Sequence, residues 1–225
     1  MGKTLKTALL DTLPVMTGYV VLGFGFGVVM SANGFGVLFT AAMSTFLFAG
    51  SMQYAAVPLL TSGASLLTLG LTTLMVNARH LFYGVSMLEK YKGMGKRKPY
   101  LIFALTDETY SLVCHDKEGL SDGARRDYYL FVSLLDQLWW VLGSVLGAAV
   151  GTLVSFNSEG VDFALTALFI TVFLEQWLTA KKHTGALVGL GASLLCLAVF
   201  GSDRFLIPAM LLIALTLGLK KEEQE

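Results

Sequence analysis

Phe48 to Gly84 reads FAGSMQYAAVPLLTSGASLLTLGLTTLMVNARHLFYG. Both halves of this stretch are apolar enough for a bilayer, yet they carry Ser51, Gln53, Asn77, Arg79 and His80. A central Arg costs about 2.5–3.5 kcal/mol on insertion scales, so such groups face a cavity or a partner and not lipid. The rest of the chain is expected to hold them there.

Composition sets the class. Of 225 residues, 55% are hydrophobic and only 14% are charged. Soluble domains carry about 25% charged residues. The deficit, with several apolar runs of about 20 residues, points to an all-α polytopic membrane protein forming one domain over residues 1–225. Basic and acidic residues number 16 each, so nothing points to nucleic acid as a partner. Cys114 and Cys196 lie in separate apolar segments without metal-ligand spacing and read as free thiols. The first apolar run follows Lys3 and Lys6 without a convincing cleavage site, and reads as a span and not a removed signal.

Working outward from the opening stretch, segment one covers about 14–31 and stops at Asn33-Gly34. Its Gly23, Gly25 and Gly27 sit inside an apolar run, where a nucleotide-binding glycine loop has no strand to follow; close helix packing is the better reading. Segment two, 35–60, is interrupted at Ala49-Gly50-Ser51, and segment three covers 65–88. A basic loop, Lys90 to Lys98, is expected on the cytoplasmic side. Segment four, about 100–114, reaches only about 22 Å against a core of about 30 Å. It also holds Asp107 and Glu108. Segment five, 128–155, carries Asp136, Gln137, Trp139, Trp140 and the glycine series Gly143, Gly147, Gly151. An acidic loop at 157–162 reads as external, and segments six (163–180), seven (185–200) and eight (204–219) complete the chain.

These segments predict about seven spans plus a short or re-entrant segment four. Counted that way, segments one to three run opposite to segments five to seven, and the chain start falls outside despite Lys3 and Lys6. Residues 13–90 and 127–200 would then be halves of an inverted repeat with broken helices, an architecture common in secondary transporters.

Several residues suit a solute site. A break at Gly50-Ser51 would free the amides of the next half-helix to meet an anion, with Ser51 and Gln53 as donors; a tight helix crossing with Gln53 satisfied by a neighbour fits the same residues. On a continuous segment three, Asn77, His80 and Gly84 share one face and Arg79 and Tyr83 another. Arg79 suits a substrate carboxylate or an acid among Asp107, Glu108, Asp136 and Glu175, and His80 either relays protons or is a satisfied neutral ring. Adjacent carboxylates at Asp107 and Glu108 are hard to keep both ionised in an apolar segment, which suits an ammonium or an exchanging proton; at the interface both would be wet. Asp136 and Glu175 read as structural or interfacial, and Trp139, Trp140 and Trp177 as interfacial anchors. There is no zinc-protease motif, phosphate loop, Cys cluster or nucleophile elbow, so neither enzyme chemistry nor a cofactor is expected.

The series LPVMTGYVVLGFGFGVVM, FAGSMQYAAV, NARHLFYG and LTDETY resembles the AzlC-type family, most densely over Pro14–Tyr110. These are large subunits of two-component branched-chain amino-acid exporters. Where that family often has Phe after the Gln, this chain has Tyr54. The resemblance implies a secondary exporter of valine, leucine, isoleucine and methionine in the bacterial inner membrane. It implies a small hydrophobic partner subunit of the AzlD type. Matched by motif, its site residues are Gly50, Ser51, Gln53, Asn77, Arg79 and Tyr83 for substrate, with His80, Asp107 and Glu108 for a proton or the ammonium. Phe48, Tyr54 and Phe82 are expected to line the side-chain pocket. Transport of another small amphipathic solute, a membrane scaffold and an intramembrane enzyme using Ser51 and His80 are the alternatives.

Overall fold

A computed structural model describes residues 2–114, 117, 119–153, 170, 173–174, 177–178, 183–201, 205, 208–209, 211–213 and 215–216, without the side chains of residues 78, 79, 81 and 82. The chain divides into two compact units, 1–164 and 165–225. All regular structure among the described residues is helical. The second unit contributes one long described helix, Thr184–Phe200, on which Cys196 is a buried free thiol. The 157–162 loop, Glu175, Lys181 and Lys182, and most of segments six and eight, lie outside the described residues.

The first unit is built on two helices. α1 (Gly2–Asp11) leads through Thr12 into α2 (Leu13–Ala32). α2 and the 32-residue helix Asp122–Leu153 (α9, as numbered below) are the two described helices long and apolar enough to cross a bilayer. They interlock through glycine. A Cβ on Gly23 would come within 2.8 Å of the Trp140 carbonyl oxygen, one on Gly27 would overlap the Ser144 backbone, and one on Gly147 would overlap that of Phe24. Gly151 meets Ser31 at the far end. Small residues on both partners let the backbones approach closely, as the glycine spacing predicts.

The contacts advance together along both helices, from Val20 against Gly143 to Phe24 against Gly147 to Ser31 against Gly151. The two helices are therefore parallel. The opposite directions expected of segments one and five are corrected by this packing.

Segment two supplies the reason. It forms α3 (Val37–Phe46) and α4 (Gly50–Thr61), separated by Leu47–Ala49, where Phe48 has φ 22°, the only positive φ at a non-glycine among the described residues. Each half is too short for a core of about 30 Å, since 10 to 12 residues give roughly 15–18 Å. The halves fold back on each other: Gln53 Nε2 donates to Ser44 Oγ at 3.3 Å, and Phe39 and Leu60 line one cavity. Tyr54 then packs beside Phe26, farther along α2 than Tyr19, which meets Phe48. Segment two is a hairpin of two short helices and not one continuous helix.

Segment three is a pair as well. α5 (Leu66–Val76) and α6 (Ala78–Met87) meet at Asn77, whose φ of −94° and ψ of 6° cap α5. Together they run the length of the unit, bringing the chain to the basic loop. Segment four is the second hairpin. A 3₁₀ turn, Gly95–Arg97, leads into α7 (Lys98–Phe103), which breaks at Ala104–Thr106 and returns as α8 (Asp107–Val113). Tyr100 on the way in and Thr109 on the way out both bond to α9, at Gln137 and Asp136. Segment four is thus two short helices that turn back on each other against α9.

The basic clusters share one end. Arg97 Nη1 bonds to Asp127 Oδ1 at 2.6 Å, and Asp11 Oδ2 accepts from Lys117 Nζ at 2.6 Å and from the Tyr128 hydroxyl at 2.8 Å. Ala8, Met87, Tyr91, Leu101, Val113 and Tyr128 form one apolar cluster beneath them. The second half of α1, the Lys90–Lys98 loop and the start of α9 are therefore together, which puts the helix carrying Lys3 and Lys6 at the basic end. A labelling experiment separates this topology from the span count. In a background with Cys114 and Cys196 replaced by Ser, an impermeant maleimide should reach Gly2→Cys and Lys96→Cys from one side of the membrane. It should reach both Asn33→Cys and Ser62→Cys from the other; a spanning segment two would put those last two on opposite sides.

Candidate functional site

Three helix breaks, at 47–49, 77 and 104–106, come to the level of Tyr19 and Trp140, about halfway along α9. Gly50 sits where a Cβ would come within 2.9 Å of the Trp140 ring. Tyr19 joins the two hairpins. Its ring meets Phe48 of the first edge-on at 6.3 Å, and its hydroxyl reaches Thr106 Oγ1 and Glu108 Oε2 of the second at 2.7 and 2.6 Å.

Each break starts a half-helix here, and the three N-termini differ. The first amides of any helix lack intrahelical partners and form a positive end. On α8, Thr106 caps the amide of Thr109 at 3.3 Å, and Asp107 and Glu108 occupy the first turn. On α4 and α6 the N-cap residues, Ala49 and Asn77, give no side-chain cap. The level thus presents one acidic helix start and two whose N-cap residues give no side-chain cap, the His80 amide of α6 being held by the Asn77 carbonyl at 2.9 Å.

Gln53 is 1% exposed and engaged on both sides of its amide: Oε1 accepts from Trp140 Nε1 at 2.8 Å, and Nε2 donates to Ser44. Trp140 is 4% exposed and stacks with Phe26, its ring centroid 6.2 Å away. The expectation of an interfacial anchor is corrected for Trp140 and Trp139, because both lie near the midpoint of α9 and not at a helix end. Trp177 stacks on His183, centroids 4.1 Å apart.

The break at Asn77 divides the polar residues of segment three, which were expected on one continuous helix. Asn77 lines a cavity of about 340 Å³ between α3, α4 and α5, with Phe39, Phe46, Met52, Gln53 and Leu69. His80 and Gly84 instead face the second hairpin, lining a cavity of about 300 Å³ with Ile102 and Leu105. His80 Nδ1 lies 3.3 Å from the Asn77 carbonyl oxygen. Tyr83 stacks on Tyr110 of α8, centroids 4.6 Å apart. The side chains of Arg79 and Phe82 lie outside the described residues. Phe48 and Tyr54 do not line the larger cavity: Phe48 packs on Tyr19, while the Tyr54 hydroxyl donates to the Leu22 carbonyl at 2.7 Å. Phe39, Phe46, Met52 and Leu69 line it instead.

Asp136 is the residue that sequence reasoning misplaced. It was expected near a segment end in a structural or interfacial role; it is fully buried, accepting from Thr109 Oγ1 at 2.7 Å. Its place eight residues into an assumed segment 128–155 hid this, because α9 begins six residues earlier, at Asp122. Tyr19, Thr106 and Thr109 were also missed. Hydroxyl residues in an apolar run carry no signal until their partners are known.

Comparison with known proteins identifies the family. A family model described as AzlC protein matches residues 14–154. The branched-chain amino acid transport protein AzlC of Bacillus subtilis (strain 168) is 43% identical over 209 residues, covering 92% of this chain and 82% of that protein. An uncharacterized membrane protein of Helicobacter pylori (strain ATCC 700392 / 26695) is 37% identical, covering 99% and 97%. The inner membrane protein YgaZ of Escherichia coli (strain K12) is 27% identical, covering 92% and 85%. No solved structure is significantly similar to the chain. With two long apolar helices, two interlocked glycine series and these relatives, the chain is a membrane protein and belongs to the AzlC family.

Proposed function

We propose that the chain is the substrate-carrying subunit of a secondary transporter that exports branched-chain amino acids across the bacterial inner membrane, with a small hydrophobic partner subunit. One observation carries the reading: uncapped N-termini of α4 and α6 and the acidic start of α8 meet at one level, beside a cavity walled by apolar side chains. The name of the Bacillus subtilis relative supports the substrate class.

In this reading the amides after Ala49 and Asn77, with Gly50, Ser51 and Arg79, take the carboxylate. Asp107 or Glu108 takes the ammonium, and the aliphatic side chain enters the cavity lined by Phe39, Phe46, Met52 and Leu69. That cavity, about 340 Å³, is at the lower end of the size of small-molecule sites. Gln53 holds the first hairpin to Trp140, and Tyr83 holds α6 to α8. The basic end faces the cytoplasm, and alternating access follows from rocking the two hairpins about the α2–α9 pair.

Arg79→Lys tests the carboxylate contact. A guanidinium offers a planar fork where an ammonium offers a point charge, so leucine export should fall about tenfold or more at equal expression, an effect of at least about 1.4 kcal/mol. Export is read as efflux from cells preloaded with a leucine dipeptide. Full export by this variant would remove Arg79 from the site. Unchanged intracellular amino-acid levels on both deletion and overexpression would overturn the transport reading, and better competition by another zwitterion would reassign the substrate.

A further inference from the structure

Four oxygen-to-oxygen contacts run in series through the centre of the first unit. Glu108 Oε2 to the Tyr19 hydroxyl is 2.6 Å, Tyr19 to Thr106 Oγ1 is 2.7 Å, Thr106 to Thr109 Oγ1 is 3.1 Å, and Thr109 to Asp136 Oδ2 is 2.7 Å. Thr106, Thr109 and Asp136 are buried, and Tyr19 is 6% exposed. Each contact at these distances needs one proton between its oxygens. Three hydroxyls supply three protons. With both acids ionised, Tyr19 donates to Glu108 and Thr109 to Asp136, and the single Thr106 proton serves either Tyr19 at 2.7 Å or Thr109 at 3.1 Å, so one of these two contacts has no proton. Two lone pairs facing each other at either distance in a buried setting repel, even with the Thr106 oxygen also accepting from the Thr109 amide at 3.3 Å. The series closes when a fourth proton sits on one of the two carboxyls.

We propose that Glu108 and Asp136 share a single proton through Tyr19, Thr106 and Thr109, and that this series is where the transporter takes up its coupling proton. With the proton on Glu108, every hydroxyl donates towards Asp136; with it on Asp136, every hydroxyl donates towards Glu108. Passing between the two states breaks four O–H bonds and forms four, and moves one unit of positive charge from one carboxyl to the other. No other reactant is needed.

The placement gives this pair its use. Glu108 lies in the first turn of the second hairpin, beside Asp107, while Asp136 lies on the fixed α2–α9 pair, so motion of the hairpin makes or breaks the series. The buried oxygen Asp136 Oδ1 has no hydrogen-bond partner among the described residues, as expected of an acid that is not held as a permanent ion pair. Other titratable groups on the surrounding elements are Tyr100 on α7, His80 and Tyr83 on α6, and Tyr128 on α9. The coupling role rests on the transport reading above; the shared proton does not.

Infrared spectroscopy of the purified full chain in lipid at neutral pH tests the shared proton. A protonated carboxyl has a C=O stretch that shifts on deuteration. That band is expected in the native chain and lost in Glu108→Gln and Asp136→Asn, because either amide supplies the missing donor and leaves the remaining acid ionised. It is also expected to be lost in Tyr19→Phe, which removes no acid but cuts the series. No such band in the native chain, or the same band in both Glu108→Gln and Tyr19→Phe, would overturn the proposal. Should Asp136→Asn fail to fold, the other two variants carry the test. Vesicles holding a pH-sensitive dye test the coupling: leucine flux should move protons in the native chain and none in Tyr19→Phe. Leucine flux without proton movement in the native chain would overturn the coupling role.

Discussion

Gly147→Leu is expected to abolish accumulation of folded protein. A Cβ at this position overlaps the Phe24 backbone, and neither side can yield, because each is the main chain of a long helix. Overpacking typically costs about 1–3 kcal/mol where side chains can shift. Here only separation of α2 from α9 relieves it, so the cost should exceed that range and take most of a stability of about 5–15 kcal/mol. Gly18→Leu is the matched control. It lies on α2, the partner helix, with nothing within 4 Å of its added Cβ, and should change stability by no more than about 0.5 kcal/mol. Thermal unfolding midpoints and elution profiles of both variants in the same detergent decide the matter. A folded, monodisperse Gly147→Leu would show that the parallel glycine contact is not what holds the two helices.

Trp140→Ala is expected to have the second largest effect. The indole packs against Tyr19, Phe26 and Gly50 and donates to Gln53, so it ties the first hairpin to both long helices. Truncating a buried aromatic costs about 3–5 kcal/mol, and this one leaves its void among the helix breaks. Trp140→Phe isolates the polar part. It keeps a ring but strands the buried Gln53 Oε1, which should cost about 1–3 kcal/mol. The difference between the two variants in denaturant midpoints, at unchanged slope, measures packing against hydrogen bonding. Equal effects would mean that the ring fills no space the first hairpin needs.

The same contacts show how much was legible in the chain beforehand. The break at Gly50 could be read from small residues inside an apolar run, and segment four could be read from its length as too short for an ordinary span. Glycine spacing in segments one and five announced close packing, but not its partner or direction. Asn77 read as one more polar position on a helical face. In the structure it ends α5 and starts α6, so that it faces the first hairpin while His80 and Gly84 face the second. A polar residue with its own local backbone bonds can stop a helix, and a periodicity count over a whole segment conceals that.

Composition and motif spacing by themselves determined the helical membrane class, the family and the segments that carry polar groups. These are properties of transfer free energy and of local residue choice, and a linear reading captures them. The tertiary structure decided which of the first five apolar segments form one long helix and which turn back, because 26 residues interrupted once can make one helix or two arms of a hairpin. It also decided the fate of single side chains. Gln53 became the anchor of Trp140, and Asp136 became the far end of a hydroxyl series from Glu108. Hydrogen-bond partners separated by 27 to 89 residues depend on how helices are placed against one another, and no local pattern encodes that.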